Sequence, residues 1–310
     1  MLDLIFPSVS SIAAVTLLSA VSGLLLSIAL LKLRVEKDPC IERIAEALPG
    51  ANCGACGLPG CSAYATRIVE EKYRIDLCVV GGSDTARKIA QIMGVESPEA
   101  LVAKTARIRC QGGIAQTARR FNYGGLAECA GANGVMGGFK VCRYGCLGFG
   151  DCMRACPFDA IMMSANGLPV VDYEACTGCG LCVTACPRHI IELAPRQNDI
   201  HVLCSNREKA ALMKAGCSVG CIACKLCEKA CRRALSAKYP EQNPMQIELA
   251  VQVDNFLANI NYTRCIQCYE CVAVCPVPVI DPTGKSTKVL QSGDASAAQE
   301  STDKTIELPA

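Results

Sequence analysis

The sequence predicts an α+β protein with a single N-terminal transmembrane helix, a small mainly helical four-cysteine domain, and two repeated cysteine-rich modules. Three observations predict this fold class. The chain of 310 residues contains 25 cysteines, residues 4–31 carry no charged side chain, and the cysteine runs after residue 140 repeat one another. The predicted boundaries are 1–33 for the anchor, 34–97 for the four-cysteine domain, 98–200 and 201–280 for the two modules, and 281–310 for a disordered tail.

The composition limits the classes of function. A net charge of +2 gives no sign of nucleic-acid binding. Tryptophan is absent and aromatic residues make up 5% of the chain, so a large apolar core is not expected. Tight cysteine spacing and an odd cysteine total argue against a disulfide framework. Bound metal centres can supply the missing stability, and they point to a reducing compartment.

The apolar stretch is long enough to cross a bilayer as one helix, over Ile12–Leu31. Three basic residues follow at once, Lys32, Arg34 and Lys37, and none precedes it. The positive-inside rule then predicts a single span with the N-terminus outside and the cysteine-rich part in the cytoplasm. A cleaved signal peptide is the alternative, but it would need a basic start and a shorter apolar run.

The four-cysteine domain begins with a helix signal. Asp38 is a predicted N-cap with Pro39 at the first helical position, and Pro49-Gly50 ends the helix. A second helix is predicted over Thr85–Met93 and stops at Gly94. Between the two helices lie four candidate ligands of a [4Fe–4S] cluster, and a structural zinc site is the alternative. These ligands are Cys53, Cys56, Cys61 and Cys78.

The two modules carry the spacing of bacterial [4Fe–4S] ferredoxins, C-x2-C-x2-C-x3-C-P. Cys176–Pro187 and Cys265–Pro276 match it fully, whereas Cys221–Cys231 is followed by Arg232 in place of proline. The run Cys142–Pro157 is a stretched version. Paired zinc ribbons are the alternative, but zinc sites seldom need cysteines this dense.

In ferredoxins of this kind the fourth cysteine of each run binds the cluster of the other run. Five [4Fe–4S] clusters are therefore expected in the whole chain, the first of them in the four-cysteine domain. The predicted ligands of the other four are Cys142, Cys146, Cys152 and Cys186; Cys176, Cys179, Cys182 and Cys156; Cys221, Cys224, Cys227 and Cys275; and Cys265, Cys268, Cys271 and Cys231.

An internal repeat supports this pairing. It aligns Cys142 with Cys217, Cys146 with Cys221, and Phe149 with Cys224, and RIRC at 107–110 resembles HVLC at 201–204. Cys217 is therefore either spare or an alternative to Cys224, which the spacing favours. Five cysteines remain, and they are expected to act as small buried hydrophobes, although a further cluster built from some of them stays open. They are Cys40, Cys110, Cys129, Cys204 and Cys217.

Other motifs are missing from the sequence. It has no dinucleotide-binding GxGxxG after a predicted strand and no Walker A motif, and the glycine-rich stretch 131–138 is predicted to be a loop. Surface or structural roles are expected for His189 and His201. Short strands are predicted at Leu168–Val171 and Ile247–Val253. No catalytic residue is predicted, and the chemistry expected is electron transfer alone.

The order of anchor, four-cysteine domain and ferredoxin modules resembles the B subunit of the Rnf ion-translocating electron-transport complex. The motifs that carry the resemblance are LPGANCGACGLPGC at 48–61 and YGCLGFGDCMRACPFDAI at 144–161. Many members of that family have one ferredoxin module, so this chain resembles the longer versions. This chain has Arg232 after Cys231, at a position where the family has proline.

The resemblance implies an electron-transfer subunit of a ferredoxin:NAD oxidoreductase that translocates ions. Its partners would be soluble ferredoxin, to which electrons can also return, and membrane and peripheral subunits that carry flavin and the NAD site. The alternatives are a polyferredoxin of a hydrogenase or formate dehydrogenase complex and a zinc-stabilised adaptor without a redox role.

Overall fold

The computed structural model describes residues 5–32, 38–241, 243 and 246–281. Helix α1 covers Ile5–Lys32, and apolar side chains such as Leu18 and Leu26 are exposed on it. In the part of the chain described, no helix meets the length and hydropathy that crossing a membrane requires. The structure therefore does not support the transmembrane helix predicted from the sequence. Of the tail predicted to be disordered, residues 282–310 lie outside the described residues.

The four-cysteine domain consists of three helices: α2 at Pro39–Ala47, α3 at Cys61–Glu71 and α4 at Gly82–Met93. Helix α2 begins as predicted, because the Asp38 side chain accepts a hydrogen bond from the Cys40 N–H at 2.8 Å. Helix α4 ends as predicted at Gly94, which has the left-handed conformation. The apolar faces of the helices meet around Ile44, Tyr64 and Ile89, which are fully buried.

The first module contains two antiparallel strand pairs and three short helices. Strands β1 and β4 pair with each other, and strands β2 and β3 form the second pair. In chain order the elements are β1 Lys104–Ile108, α5 Cys129–Gly134, α6 Asp151–Arg154, β2 Ile161–Met163, β3 Pro169–Val171, α7 Leu181–Ala185 and β4 Ile191–Pro195.

The second module repeats this strand arrangement. Strand β5 pairs with β8 and strand β6 pairs with β7, both antiparallel. In chain order the elements are β5 His201–Val202, α8 Ala210–Gly216, α9 Leu226–Lys238, β6 Val251–Asp254, β7 Leu257–Ile260, α10 Glu270–Ala273 and β8 Ile280–Asp281. Side chains connect the modules directly. Gln111 Nε2 donates to the Val219 carbonyl at 2.8 Å, and Tyr262 donates to Glu192 Oε1 at 2.7 Å.

Two local predictions need correction. The glycine-rich stretch predicted to be a loop begins with helix α5, because the Asp151 carboxylate accepts the N–H groups of Cys129 and Ala130 at 2.9 and 3.1 Å. The strand predicted from Ile247 begins only at Val251, because its partner strand ends at Ile260, opposite Val251.

Candidate iron–sulfur centres

The cysteine runs of both modules share one backbone pattern. Two residues with positive φ flank the second position of each run and precede a helix. Alternation of right- and left-handed residues turns successive N–H groups toward one side, and such nests bind anions, including iron–sulfur clusters. The left-handed residues are Gly148 and Gly150, Gly178 and Gly180, Ala223 and Lys225, and Gln267 and Tyr269.

The four cysteines of the N-terminal domain surround one cavity of about 340 Å³. Asn52 shapes the loop around it, since its side-chain oxygen accepts the Cys61 N–H at 2.8 Å. Buried Tyr64 fixes the approach to the fourth cysteine, because its hydroxyl donates to the Arg74 carbonyl and accepts the Leu77 N–H. The predicted ligands that line this cavity are Cys53, Cys56, Cys61 and Cys78.

Two further cavities are lined by predicted sets of four that combine cysteines from two runs. One has a volume of about 310 Å³ and is lined by Cys176, Cys179, Cys182 and Cys156. The other has a volume of about 330 Å³ and is lined by Cys221, Cys224, Cys227 and Cys275. In both, the fourth cysteine comes from the partner run, which is the exchange expected of a ferredoxin module.

The remaining set of the second module is close together as well. Cys271 interacts electrostatically with Cys265, Cys268 and Cys231. The Cys231 sulfur accepts a hydrogen bond from the Val251 N–H at 3.4 Å. In the first module the Cys176 sulfur accepts one from the Ala106 N–H at 3.4 Å. Such N–H···S contacts help to set the potential of a cluster.

In the stretched run a further cysteine lies near the predicted ligands. Cys152 interacts electrostatically with Cys186 and also with Cys129, and Cys146 interacts with Cys129. The structure thus places Cys129, at the start of helix α5, beside three of the predicted ligands. Phe149 occupies the sequence position where the other runs have their second cysteine.

Cys142, by contrast, lies with other cysteines. It interacts electrostatically with three residues that the spacing left without a role, and all four line one cavity. These three residues are Cys110, Cys204 and Cys217. The sequence did contain a signal for them, because the internal repeat already aligned Cys142 with Cys217 and RIRC with HVLC. Cys40 is outside all these groups, near the start of helix α2.

Burial controls the chemistry of these thiols. It raises the pKa of Cys182 and of Cys227 to about 12, and that of Cys152 to about 11. At neutral pH these three thiols are therefore protonated, and iron must displace their protons when it binds. Within the described residues, no three His, Cys, Asp or Glu side chains come close enough together to hold a single metal ion. The cysteine sets described above surround cavities instead.

Sets of four cysteines in ferredoxin loops define the class of protein: an iron–sulfur electron carrier that binds several [4Fe–4S] clusters. Family models agree along the chain. Residues 48–80 match the family described as "Putative Fe-S cluster", and residues 140–193 and 220–280 each match a 4Fe-4S dicluster domain.

Curated relatives give the particular family. The chain is 43% identical over 268 residues to the B subunit of the Na(+)-translocating ferredoxin:NAD(+) oxidoreductase complex of Acetobacterium woodii, covering 86% of this chain and 76% of the relative. It is 36% identical to the B subunit of the proton-translocating complex of Clostridium ljungdahlii, covering 94% and 98%. It is 38% identical to the B subunit of the ion-translocating oxidoreductase complex of Methanosarcina acetivorans, covering 88% and 97%. The chain belongs to this family of B subunits, which confirms the resemblance seen in the sequence.

Proposed function

We propose that this chain relays electrons between soluble ferredoxin and the other subunits of an ion-translocating ferredoxin:NAD oxidoreductase complex. The observation that carries the proposal is the set of cavities lined by four cysteines each, arranged in ferredoxin loops. The chain's own part is to hold each cluster through four thiolates and to surround its sulfurs with N–H groups. When bound, the clusters supply one-electron chemistry. Flavin and the NAD site belong to partner subunits in this proposal.

The cluster ligands proposed are the five predicted sets, with Cys129 in place of Cys142 in the stretched run. This replacement rests on the proximity of Cys129 to Cys146 and Cys152. Cys129→Ala should then lose one cluster, whereas Cys40→Ala should lose none. Iron and acid-labile sulfide per chain measure the difference, and unchanged values in both variants would contradict the replacement.

The second module is the proposed contact site for ferredoxin. Cys224 and Cys268 are exposed, whereas the predicted ligands in the first module are buried or half-buried. Electrons tunnel best over short distances, so a ligand at the surface marks a place of exchange with a soluble carrier. Lys225, next to Cys224 in the chain, and Lys229 and Arg233, at intervals of four residues along helix α9, are also exposed. They would attract an acidic carrier.

A charge reversal tests this contact. Lys229→Glu should slow reduction of the chain by reduced ferredoxin several-fold at low salt, and the difference should shrink at high salt because ions screen the attraction. Lys88→Glu makes the same charge change on an exposed position of helix α4 and is the matched control. Equal rates for both variants, measured by stopped-flow absorbance, would contradict docking at the second module.

We also propose that helix α1 anchors the chain to the bacterial inner membrane, with the cysteine-rich part on the cytoplasmic side. The uncharged stretch 4–31 and the basic residues after it support this proposal. A variant that lacks residues 1–37 should be released from membranes by a carbonate wash, whereas the full chain should remain in the membrane fraction. Equal partitioning of the two would contradict the anchor. Co-purification of flavoprotein partners would distinguish this complex from a hydrogenase or formate dehydrogenase complex.

A further inference from the structure

Three cysteines that the spacing left without a role line a cavity at the junction of the two modules together with Cys142, which Cys129 replaces in the proposed stretched-run set. The space between its lining residues, including the part open to solvent, is about 320 Å³, close to the 310–340 Å³ measured in the same way at the other three cysteine-lined cavities. Each module contributes two cysteines, Cys110 and Cys142 from the first, and Cys204 and Cys217 from the second. A cavity of the same size with the same number of thiols is what a further cluster would need.

The internal repeat relates the two halves of this site. Cys110 follows strand β1, and its counterpart Cys204 follows strand β5. The Cys110 sulfur accepts the Cys146 N–H at 3.3 Å, and the Cys204 sulfur accepts the N–H of the equivalent Cys221 at 3.4 Å. The same hydrogen bond thus occurs once in each module. Each module therefore contributes two thiols to the cavity.

Polar groups in the wall are directed at the sulfurs. Asn206 is 2% exposed, and its Nδ2 lies 3.5 Å from the Cys142 sulfur. The Asn206 N–H donates to the Cys204 sulfur at 3.4 Å, and the Asn206 side-chain oxygen is held by the Glu208 N–H at 2.7 Å. A buried amide oriented toward two cysteines fits sulfurs that carry negative charge, because N–H···S bonds stabilise ligated thiolates.

A buried cation lies beside the site. Lys140 is 3% exposed, and its ammonium donates to the Gly112 carbonyl at 2.9 Å. Gly112 lines the cavity, and Lys140 interacts electrostatically with Cys217 and Cys146. No ion pair of Lys140 with a carboxylate is found within the described residues. A buried lysine needs a compensating charge, and a [4Fe–4S] cluster with four thiolates is an anion.

We propose that Cys110, Cys142, Cys204 and Cys217 bind a sixth [4Fe–4S] cluster. The proposal rests on the proposed function, since it requires the chain to be loaded with clusters. It gives a role to three of the five cysteines that the spacing left over; Cys129 has its place in the stretched run, and Cys40 remains without one.

The location gives this cluster a particular use. Cys110 lies near Cys146 of the neighbouring site in the first module, and Cys204 lies near Cys221 in the second module. Elsewhere Cys179 interacts with Cys53 of the N-terminal domain, and Cys182 interacts with Cys152. Successive cluster sites are thus neighbours along the molecule, and the junction site lies between the two modules. Removing it would interrupt the series there.

Native mass spectrometry of chain purified without oxygen counts the clusters directly. We expect six [4Fe–4S] cores in the unmodified chain, five in Cys204→Ala, and six in the control Cys40→Ala. Cys217→Ser keeps nearly the same volume in the wall and should also show five, which covers the case in which Cys204→Ala fails to fold. Five cores in the unmodified chain, with no further loss in either variant, would overturn the sixth site and leave the proposed function standing. Zinc without any core would overturn both.

A kinetic readout tests the connection between the modules. Reduced ferredoxin should bleach all clusters of the unmodified chain in stopped-flow absorbance. In Cys204→Ala reduced ferredoxin should rapidly bleach only the two clusters of the second module. The rapid change should then be about a third of the amplitude measured with the unmodified chain. Complete bleaching of the variant at the unmodified rate would contradict a connecting role.

Discussion

The two ferredoxin modules have the same strand pairing, but their cysteine loops solve one conformational problem with different residues. At the positions that flank the second position of each cysteine run, the first module has four left-handed glycines, whereas the second has Ala223, Lys225, Gln267 and Tyr269, with φ between 53° and 61°. Left-handed backbone costs a residue with a side chain about 1 kcal/mol. The second module therefore forms the same left-handed loops despite this local cost in free energy. The comparison teaches that the loop conformation is required by the site and not by its glycines.

The helices that follow the loops differ in length for a simple reason. Proline follows the last cysteine in three runs, and helices α6, α7 and α10 have four or five residues. Arg232 follows Cys231, and helix α9 continues to Lys238 over 13 residues. Proline has no N–H to donate and clashes with the preceding turn, so it ends the other helices.

A third difference lies where β1 and β5 face the hairpin of their own module. The Arg107 guanidinium lies 3.9 Å from the centre of the Tyr173 ring in the first module. At the equivalent place in the second module, His201 Nδ1 lies 3.1 Å from the Tyr262 hydroxyl. Burial, assisted by the nearby charge of Arg107, lowers the pKa of His201 to about 3. A permanent cation in one module thus corresponds to a neutral imidazole in the other.

The largest expected effect comes from restoring the missing proline. Arg232→Pro places proline inside helix α9, where it removes a hydrogen bond and clashes with the carbonyl four residues earlier. The free energy of unfolding should fall by about 3 kcal/mol or more. Arg233→Ala at the next position is the control and should change it by less than about 0.5 kcal/mol. Chemical denaturation measures both, and equal stability of the two variants would contradict the claim that the absence of proline at position 232 allows helix α9 to continue.

Gly178→Ala tests the glycine loops of the first module. It adds the left-handed penalty and also brings a Cβ against the Lys104 carbonyl. We expect a loss of about 1–3 kcal/mol in the free energy of unfolding. At Gly180 a Cβ would make only an ordinary 3.5 Å contact with Leu193, so Gly180→Ala should cost about 1 kcal/mol. If Gly180→Ala were the more harmful change, the contact with Lys104 would not explain the need for glycine.

The His201 difference predicts a pH effect. In the unfolded chain His201 takes up a proton near pH 6.5. In the folded chain the His201 imidazole stays neutral until about pH 3. The contribution of His201 to the free energy of unfolding is thus fully present above pH 6.5. It falls as the pH is lowered, by about 1 kcal/mol at pH 5.5. Denaturation of His201→Gln at pH 7.5 and 5.5, compared with the unmodified chain, isolates this contribution. A pH dependence that the substitution leaves unchanged would contradict it.

The smallest effect should have the opposite sign. Ala223→Gly removes the left-handed penalty in the second module, and we expect a gain of about 0.5–1 kcal/mol in the free energy of unfolding. Ala234→Gly within helix α9 should instead cost about 1 kcal/mol. Losses in both variants would mean that Ala223 is not strained in its loop.

Local signals in the sequence predicted much of this structure. The Asp38 cap, the Gly94 stop and the β3 strand lie close to where the residues indicated them, and the resemblance to B subunits is confirmed by the relatives. Spacing alone could not show which cysteines lie near Cys129 and Cys142, because these neighbours are brought together by chain folding over 17 to 75 residues. The helix at Cys129 was missed for a similar reason, since Asp151 caps it from 22 residues away.

Iron, acid-labile sulfide and zinc per chain, measured on protein purified without oxygen, test the central claim that this chain is a carrier of electrons through clusters. We predict equal iron and sulfide, about 24 of each with the junction site filled and about 20 without it, and negligible zinc. Stoichiometric zinc with no sulfide would contradict the claim and indicate a zinc-stabilised scaffold.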